Sequence, residues 1–334
     1  MNQAIQSMSI TIDDHTQVGD ARRRGINIAN QLQFDETESG KVGIVITEAA
    51  KNIVKHAGNG QIIIRTLQQN NMMGIEILAL DKGPGMDLRR CLEDGYSTAG
   101  SPGTGMGAMS RLSSAFDVYS VDKKGTAVVA QLWSTPAKAA KDNDVGGICV
   151  PVAGESDCGD AWAFHRYGNR VSIIAVDGLG HGPMAAMAAN AAIHAFQTNP
   201  ERAPADMLRM VHGALLSTRG AAVATAVIDM DARQLHFAGV GNISGILFDG
   251  DKIRGLPSFN GTVGHQLHKV QEIIYPWPER AWLVMHSDGL YNRWKMDDYP
   301  GLLRHHPSII AGMLYRDFQR GRDDSMAVVF KENR

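Results

Sequence analysis

The chain has 334 residues, of which 44% are hydrophobic and 20% charged, which is the length and composition of two compact globular domains. Its formal net charge of −2 excludes the strongly basic surface by which most nucleic-acid-binding domains hold phosphates. No apolar run reaches the roughly 20 residues of a membrane-spanning helix, the N-terminus lacks the blocks of a signal peptide, and three cysteines suit a reducing compartment, so we expect a cytoplasmic protein that binds neither nucleic acid nor membrane.

The first pattern along the chain predicts a helix over residues 40–57, GKVGIVITEAAKNIVKHA. Its apolar residues recur at helical spacing and form one broad stripe. Glu48, Asn52 and His56 are spaced four residues apart and therefore project along one face of this helix. An acid and an amide one turn apart can also be a purely structural hydrogen-bonded pair, so the helix by itself leaves its role open.

A predicted strand, MGIEILAL, follows the helix and runs into Asp81, from which the chain continues as DKGPGM. A polar, glycine-rich segment, GYSTAGSPGTGMGAMSRL, comes next. This segment lacks the Gly-Lys-Ser/Thr ending of a Walker loop and does not satisfy GxGxxG, so its glycines alone are weak evidence for a phosphate site. Together, the ExxxN helix, the DxGxG turn and the glycine-rich segment resemble the GHKL (Bergerat) ATP-binding fold over about residues 10–133. Within that fold, they resemble the anti-sigma-factor serine kinases of the RsbT and RsbW type.

The resemblance implies a role for each matching residue. Asn52 would hold the Mg²⁺ that bridges the ATP phosphates, Asp81 would accept a hydrogen bond from the adenine amino group, and Glu48 would activate a serine hydroxyl as a base. Gly83 and Gly85 would keep the wall of the adenine pocket thin. Backbone N–H groups of the glycine-rich segment and of the helix that follows it would wrap the phosphates. The residues implied there are Gly103, Thr104, Gly105 and Gly107.

A polar, alanine-rich stretch separates this half from the rest of the chain. The predicted strand TAVVAQLW is followed by STPAKAAKDNDVGG, which has no core pattern, so we predict domains at 1–133 and 148–334 joined by a linker at about 134–147. In the second domain, Asp-Gly closes a predicted hairpin in GILFDGDKIRG. An amphipathic helix is also predicted in ERAPADMLRMVHGALLSTRG. Its core-facing residues would be Met207, Leu208, Val211 and Leu215.

Four aspartate signals are spread through the second half of the chain. They are Asp160 in CGDAW, Asp177 in VDGLGHG, Asp288 in HSDGL, and the pair Asp323–Asp324 in RDDS. Most of them adjoin an apolar, β-branched run, so we expect strand-end carboxylates that converge on one edge of a sheet. Carboxylates without compensating cations repel each other and must be protonated or bind cations. An all-oxygen ligand set favours Mg²⁺ or Mn²⁺, so the sequence predicts a two-metal hydrolase.

Each aspartate also has a simpler interpretation, because Asp-Gly is among the commonest turn dipeptides. The occurrence of four in order, with GLGHG behind Asp177, favours a shared site. The glycine-rich stretch runs into PMAAMAANAAIHAF, with Pro183 near the first turn of a predicted helix. A strand, an acid, a loop and a helix N-terminus together suit a phosphate or an oxyanion. His181 in this loop is either a substrate contact or a solvated spacer.

The order CGD, DGLGHG, SDG, DD resembles the SpoIIE-type, metal-dependent serine/threonine phosphatases of the PPM superfamily, and among them the RsbX-like branch, over about residues 147–331. The resemblance implies a dinuclear Mn²⁺ or Mg²⁺ centre at one end of the fold. Its ligands would be Asp160, Asp177, the Gly178 carbonyl, Asp288 and Asp323. The first three would hold one ion or bridge both, and the last two would complete the second site. Asp324 stands where related enzymes carry Asp or Asn and ranks below Asp323 as a ligand.

The fold class predicted for the whole chain is α+β with two domains. A Bergerat-type α/β sandwich would be followed by a PPM-type β-sandwich flanked by helices. The helix predicted around DARRRGINIANQLQF could pack on a second copy of the chain or on its own domain. Packing on its own domain is favoured, and the oligomeric state is left open.

The chemistry of phosphate monoester hydrolysis agrees with the carboxylate set. The uncatalysed reaction is among the slowest known, so it needs charge neutralisation and a strong nucleophile. Two divalent ions supply both, because they acidify water and clamp the phosphoryl oxygens. A cysteine-phosphatase loop is excluded, because none of Cys91, Cys149 and Cys158 has an arginine six positions later.

The two resemblances imply partner-switching signalling, in which a STAS-domain protein is phosphorylated on serine or threonine by one enzyme type and dephosphorylated by the other. The leading hypothesis is a phosphatase that acts on a phosphorylated STAS-like or related sigma-regulatory partner and carries an ATP-binding module. Two alternatives stay open. Glu48 and Asn52 would make the chain a bifunctional kinase and phosphatase, or the N-terminal half would only sense nucleotide or hold the partner. A sensor and a kinase need the same pocket, so the sequence does not separate them.

Overall fold

The computed structural model describes residues 7–69, 72–86, 105–135, 144–250 and 252–332. The chain forms two compact units. We call them the N-terminal unit, residues 7–143 and 295–316, and the C-terminal unit, residues 144–294 and 317 onward. Residues 295–316 thus group with the N-terminal stretch, although the predicted boundaries place them in the second domain. The predicted linker at about 134–147 lies largely outside the described residues and stays a prediction.

One antiparallel sheet of five strands forms the centre of the N-terminal unit. The strands are β1 (Ser7–Ile12), β2 (Gly60–Gln69), β3 (Met72–Asp81), β4 (Ala115–Val121) and β5 (Gly125–Trp133). Their spatial order is β1-β2-β3-β5-β4. β5 is buried at every position, and β3 is buried over most of its length. Continuous apolar strands of this kind are typical of a sheet that is covered on both faces.

Among the described residues of this unit, three α-helices cover one face of the sheet. They are α1 (His15–Gln31), α2 (Glu36–Asn52) and α3 (Gly105–Leu112). Asp14 caps α1 by accepting hydrogen bonds from the backbone of Thr16 and Gln17, and Asp35 caps α2 in the same way. Buried residues of α1 and of α2 share one apolar core with the sheet. The face of α1 therefore packs on its own unit, as predicted.

The predicted helix over residues 40–57 is present with different ends. It begins at Glu36, because Asp35 provides the cap, and its α-helical part ends at Asn52. Residues Ile53–Ala57 form a single π-helical turn. His56 therefore lies in this turn and not on the α-helix that carries Glu48 and Asn52.

Two antiparallel sheets of five strands pack face to face in the C-terminal unit. The strands are β6 (Val145–Val150), β7 (Asp160–Tyr167), β8 (Arg170–Gly178), β9 (Ala221–Asp229), β10 (Gln234–Val240), β11 (Ser244–Asp249), β12 (Lys252–Leu256), β13 (Ile273–Pro276), β14 (Trp282–His286) and β15 (Ser325–Lys331). The sheet orders are β13-β10-β9-β8-β7 and β12-β11-β14-β15-β6. One apolar core, with Trp162 from the first sheet and Phe330 from the second, lies between them. The predicted hairpin is the pair β11 and β12.

Two helices, α4 (Pro183–Thr198) and α5 (Pro204–Ala214), cover the outer face of the first sheet. The four residues predicted to face the core of this helical region are all buried there. The α+β class and the helix-flanked sandwich are thus confirmed. No helix in the described ranges is long and apolar enough to cross a bilayer.

Residues 295–316 complete the N-terminal unit by covering the second face of its sheet. They include most of helix α6 (Pro307–Phe318). A Cβ placed on Gly312 would lie 2.7 Å from Leu78 Cδ2, so glycine permits the close approach of α6 to β3. Glu76, also on β3, accepts a hydrogen bond from Ser308 Oγ at 2.9 Å. Successive side chains of a strand point to opposite faces of the sheet. Glu76 and Leu78 therefore lie on the face of β3 that is opposite to α2.

Candidate functional site

The predicted carboxylates lie at one end of the sandwich and come from both of its sheets. Asp160 begins β7, and Asp177 lies directly opposite it on β8. Asp288 follows β14 and Asp323 precedes β15, and these two strands are neighbours in the other sheet. The expectation of one shared sheet edge is therefore wrong, because the site forms where two packed sheets end together.

Asp160 is buried, Asp177 is half-buried, and both are surrounded by other acids. Asp160 is 3% exposed, and its Oδ2 accepts a hydrogen bond from Ser287 Oγ at 2.6 Å. Burial, and then the charge of Asp177, raise the pKa of Asp160 well above its usual range. Burial and the charges of Asp288 and Asp323 raise the pKa of Asp177 to about 7. The two carboxylates are thus held in a site that disfavours their ionised forms unless positive charge is supplied.

Asp288 and Asp323 are half-buried and lie on two loops that pack against each other. Asp288 Oδ2 accepts a hydrogen bond from Asn242 Nδ2 at 2.8 Å, and Asp323 Oδ1 accepts one from the backbone N–H of Asp324 at 2.9 Å. A Cβ on Gly289 would lie 1.9 Å from the Asp324 carbonyl oxygen. Only glycine therefore allows the loop after Asp288 to approach the loop of Asp323 this closely.

Asp324 lies beside these acids and binds the backbone of the loop that leads into Asp160. Its Oδ1 accepts a hydrogen bond from the backbone N–H of Val152 at 2.7 Å, and its Oδ2 accepts one from the backbone N–H of Gly159 at 2.6 Å. Both carboxylate oxygens are thereby engaged in holding the loop that leads into Asp160. This arrangement gives a physical reason to rank Asp324 below Asp323 as a metal ligand.

Gly178 connects Asp177 to the glycine-rich loop and to helix α4. Its N–H donates to the Gly159 carbonyl at 2.9 Å, and a Cβ at this position would lie 2.4 Å from the Ala185 carbonyl oxygen. The first turn of α4 therefore packs against the backbone beside Asp177. Free N–H groups at a helix N-terminus attract anions, so this end of α4 suits a phosphate.

His181 lies in the same loop and is exposed. Its Nδ1 is 2.8 Å from Glu155 Oε1, so the ring is oriented by a carboxylate, an arrangement that also supports histidines in proton transfer. Its role in contact with substrate stays a prediction.

The chemistry of these groups fits divalent cations. In the ranges that the structure describes, no three His, Cys, Asp or Glu side chains lie close enough together to enclose a metal ion as they stand. The charge balance points the other way, because no arginine or lysine of the described residues pairs with Asp160, Asp177, Asp288 or Asp323. The spacing of these carboxylates depends on the charge between them, because carboxylates without a cation repel each other. An all-oxygen set of this kind suits Mg²⁺ or Mn²⁺.

The N-terminal unit carries the second predicted site. Glu48 and Asn52 lie one turn apart on α2, and both are half-buried. Glu48 Oε2 would lie 2.7 Å from a Cβ on Gly105, so the first residue of α3 packs against this carboxylate. The π-helical turn follows Asn52 directly, and such turns occur frequently at functional sites. The end of α2 and the beginning of α3 therefore meet at the predicted phosphate side of the pocket.

Asp81 and its glycines form the other side. Asp81 ends β3 and its Oδ1 accepts a hydrogen bond from the Gly83 N–H at 2.8 Å, while burial raises its pKa. A Cβ on Gly83 would lie 2.7 Å from Ala57 Cβ. Gly85 has φ +78°, and a Cβ there would lie 2.3 Å from the Val121 carbonyl oxygen. Neither position has room for a side chain, and the role of the two glycines in an adenine pocket stays a prediction.

Gly105 and Gly107 are the first and third residues of α3. Gly103 and Thr104 lie outside the described residues, so their contribution to phosphate binding stays a prediction.

Two residues of the carboxylate site, Ser287 and Asn242, are not predicted from the sequence. Ser287 orients Asp160, and a signal for it exists in the Ser-Asp-Gly order, since the residue next to a strand-end ligand is buried in the sheet. Asn242 orients Asp288 from a different hairpin. A Gly-Asn pair after a strand is a common turn, so its local sequence carries no indication of this contact.

Known proteins match both halves of the chain. The family model described as histidine kinase-like ATPase domain matches residues 12–132, and the model described as Stage II sporulation protein E matches residues 167–330. The serine/threonine-protein kinase RsbT of Bacillus subtilis (strain 168) is 39% identical over 114 residues, which are 34% of this chain and 86% of RsbT. The chain belongs to the histidine kinase-like ATPases and carries a SpoIIE phosphatase domain. Both resemblances seen in the sequence are confirmed.

Solved structures agree with this assignment for the SpoIIE domain. A structure reported for the bacterial stressosome, described as a modular system adapted to control secondary messenger signalling, has a TM-score of 0.53 and 26% identity. The match covers 56% of this chain and 97% of that one. RsbX in complex with magnesium has a TM-score of 0.51 and 18% identity, with 55% of this chain and 92% of RsbX covered. At that identity the second match shows the fold of the SpoIIE domain alone.

Proposed function

We propose that this chain is a divalent-metal-dependent phosphatase that removes phosphate from a serine or threonine of a STAS-domain protein, and that its N-terminal unit binds ATP with Mg²⁺. The supporting observation is the set of four acids at the end of two sheets. None of them is paired with a basic residue in the part of the chain that the structure describes, and burial beside like charges raises the pKa of Asp160 and Asp177.

The proposed metal ligands are Asp160, Asp177, the Gly178 carbonyl, Asp288 and Asp323. When bound, two Mn²⁺ or Mg²⁺ ions supply charge neutralisation and an acidified water. Ser287 and Asn242 each donate to one oxygen of a ligand carboxylate, which fixes the direction of the remaining oxygen. The N-terminal turn of α4, packed on Gly178, offers backbone N–H groups to the phosphate of the substrate.

The test is phosphate release from an aryl phosphate and from a phosphoserine peptide, with Mn²⁺ and with a chelator. We expect turnover that the chelator removes and that Asp177→Asn and Asp288→Asn abolish. Asp249→Asn is the matched control, because Asp249 lies in the β11–β12 hairpin and should leave turnover unchanged. Full activity in Asp288→Asn would rule out this site.

The nature of the protein substrate rests on relatives. A serine/threonine-protein kinase is similar to 34% of this chain, and a stressosome structure is similar to 56% of it. Their combination supports a partner-switching system with a STAS-type partner. A serine or threonine of that partner would be phosphorylated by the kinase type and dephosphorylated by the phosphatase type. A cytoplasmic location belongs to the same proposal, since Cys149 and Cys158 are free thiols, as in reducing compartments.

The ATP site is proposed from the pocket of the N-terminal unit. Asn52 would hold Mg²⁺, Asp81 would accept from the adenine amino group, and the thin wall at Gly83 and Gly85 would admit the ring. The phosphates would be wrapped by Gly103, Thr104, Gly105 and Gly107. Calorimetry of ATP with Mg²⁺ tests this proposal, with Asp81→Asn expected to weaken binding strongly.

A second candidate function is protein serine kinase activity. The position of Glu48 next to the first residue of α3 and the 39% identity to a serine/threonine-protein kinase favour it. We expect transfer of labelled γ-phosphate to a STAS protein, lost in Glu48→Gln without loss of ATP binding. Asn52→Ala should lose both binding and transfer. ATP binding with no transfer to any partner would instead make the unit a nucleotide-sensing or partner-binding module.

A further inference from the structure

Two arginines in the C-terminal unit lie over the same exposed tyrosine. Arg293 Cζ is 4.5 Å and Arg320 Cζ is 5.0 Å from the centre of the Tyr291 ring, and the tyrosine is 38% exposed. Two backbone hydrogen bonds bring these loops together. The Tyr291 N–H donates to the Phe318 carbonyl and the Arg320 N–H donates to the Gly289 carbonyl, each at 2.9 Å. We call the three side chains the arginine–tyrosine surface.

The arginine–tyrosine surface borders the proposed metal site. Tyr291 follows Asp288 by three residues, and Arg320 precedes Asp323 by three. The hydrogen bond between Arg320 and Gly289 joins the two loops at the residue next to Asp288. The two guanidinium groups are therefore carried by the same pair of loops that carries Asp288 and Asp323.

Neither arginine has a carboxylate partner among the described residues, and neither forms an ion pair with Asp177, Asp288 or Asp323. A single exposed arginine without a partner is ordinary and needs no explanation. Two that share one aromatic ring are unusual, because like charges repel unless a common partner holds them. A guanidinium held over a ring is already oriented, so it loses less freedom when it binds an oxyanion.

We propose that the arginine–tyrosine surface docks acidic side chains that flank the phosphorylated residue of the protein substrate. The proposal rests on the proposed phosphatase function. An acidic segment that approached the carboxylate cluster alone would be repelled, and Arg293 and Arg320 offset that repulsion at the side of the site. Because the arginines do not pair with the ligand carboxylates, they meet the residues around the phosphate and not the phosphate itself.

The experiment uses two synthetic phosphoserine peptides of equal length. One carries aspartate and glutamate on both sides of the phosphoserine, and the other carries asparagine and glutamine at the same places. Dephosphorylation is measured with Mn²⁺ for the full chain and for Arg293→Gln, Arg320→Gln and the double variant. Arg254→Gln is the matched control, because Arg254 stacks on Tyr275 at 5.7 Å on the solvent-exposed strand β12.

We expect the wild type to prefer the acidic peptide. Each single variant should raise KM for that peptide about three- to tenfold, as for the loss of a charged contact at a rim. The double variant should abolish the preference, and higher ionic strength should weaken it in the wild type. Turnover of an aryl phosphate should be unchanged in every variant, and Arg254→Gln should behave as the wild type.

Equal KM values for the two peptides in the wild type would overturn the proposal. A parallel loss of aryl phosphate turnover in Arg293→Gln and Arg320→Gln would also overturn it, because the arginines would then act on the phosphate itself. Absence of all turnover in the wild type would instead count against the proposed function. In that case, equilibrium binding of the same two peptides, which needs no turnover, still decides the docking surface: the wild type should bind the acidic peptide more tightly than the double variant does.

Discussion

Each unit contains a buried acid, and the surroundings of the two acids shift their pKa values in opposite directions. Glu76 of the N-terminal unit is 2% exposed and accepts hydrogen bonds from Arg65, Gln131 and Ser308 at 2.7–2.9 Å. Burial opposes its ionisation and is the largest single influence on its pKa. The charges of Arg65 and His306 and the hydrogen bonds from Gln131 and Ser308 together outweigh burial and hold the pKa of Glu76 below its usual range. Asp160 of the C-terminal unit is 3% exposed, and burial and then the charge of Asp177 both raise its pKa well above its usual range.

The comparison shows that burial alone does not separate structural acids from functional ones. Glu76 is neutralised by a guanidinium and has both oxygens occupied, so nothing further can bind there. Asp160 and Asp177 have unbalanced charge and acceptor capacity to spare, which is what a cation requires. The relevant quantity is the charge that the protein itself supplies around the buried group.

The largest effect is expected from Glu76→Gln. The substitution removes the carboxylate charge that faces the buried Arg65 guanidinium, and removing one partner of a buried ion pair costs about 3–5 kcal/mol. Hydrogen exchange along β2 and β3 reports the stability of the N-terminal unit separately. Asp20→Asn is the control, because Asp20 pairs with Arg24 on the exposed face of α1 and should cost less than about 1 kcal/mol. We call Glu76 and its hydrogen-bond donors Arg65, Gln131 and Ser308 the Glu76 cluster. Equal exchange in the two variants would mean that the Glu76 cluster has no structural role.

A somewhat smaller loss is expected from Gly312→Val, which tests whether residues 295–316 hold the Glu76 cluster in place. The added side chain would collide with Leu78 and Leu80, and overpacking of this kind costs about 1–3 kcal/mol. The same exchange measurement should show faster opening of β3. Gly40→Val on α2 is the matched control, since nothing lies within 4 Å of a Cβ there. A similar loss of stability in both variants would mean that the loss does not come from the contact between Gly312 and β3.

Asp177→Asn is expected to change the free energy of unfolding in the opposite direction. Removing one of several repelling carboxylates should stabilise the metal-free protein by about 1 kcal/mol, whereas Glu76→Gln destabilises it. Thermal unfolding with a chelator and with Mn²⁺ measures this, and Mn²⁺ should raise the melting temperature of the wild type more than that of the variant. A metal-free variant less stable than the wild type would contradict the charge argument.

The smallest effect is a pH dependence of the Glu76 contribution. Glu76 titrates near 4.5 in the unfolded chain and lower in the folded protein, so the unfolded state binds more protons as the pH falls. The stabilisation is therefore present above the unfolded value and is lost as the pH falls through the folded one. Denaturant unfolding between about pH 6 and about pH 3 measures the free energy of unfolding of the wild type and of Glu76→Gln. The difference between these two free energies should become smaller below pH 4.5. A difference that is constant over this range would contradict the assignment.

Much of both sites is predictable from local sequence. Glu48 and Asn52 are found by helical spacing, and Asp177 and Asp288 by their positions after apolar runs, because these signals are periodic or lie within a few residues. The end of α2 at Asn52 is not predictable, since the residues of the π-helical turn are ordinary helix formers. The distinction between Asp323 and Asp324 also needs the structure, because only the backbone partners of Asp324 reveal its task.

Long-range pairing is the part that sequence reasoning misses. Ser308 and Glu76 are 232 residues apart, and no local periodicity indicates that α6 belongs to the sheet of the N-terminal unit. The same holds for Asn242 and Asp288, which come from different hairpins. In each case the partner is an ordinary residue of a turn or a helix until the fold brings it to a buried acid.

The order of biosynthesis adds a consequence for residues 295–316. A ribosome makes the five strands of the N-terminal sheet long before it makes α6, so the nascent unit has its second face uncovered while most of the SpoIIE domain is still being translated. During that interval Leu78, Leu80 and the Arg65–Glu76 pair are open to water or to a chaperone. Residues up to Arg316 must be translated before the second face of the N-terminal sheet can be covered. A gene cut at the predicted linker would encode two fragments, one with this face of the sheet uncovered and the other with residues 295–316 but without the sheet on which they pack.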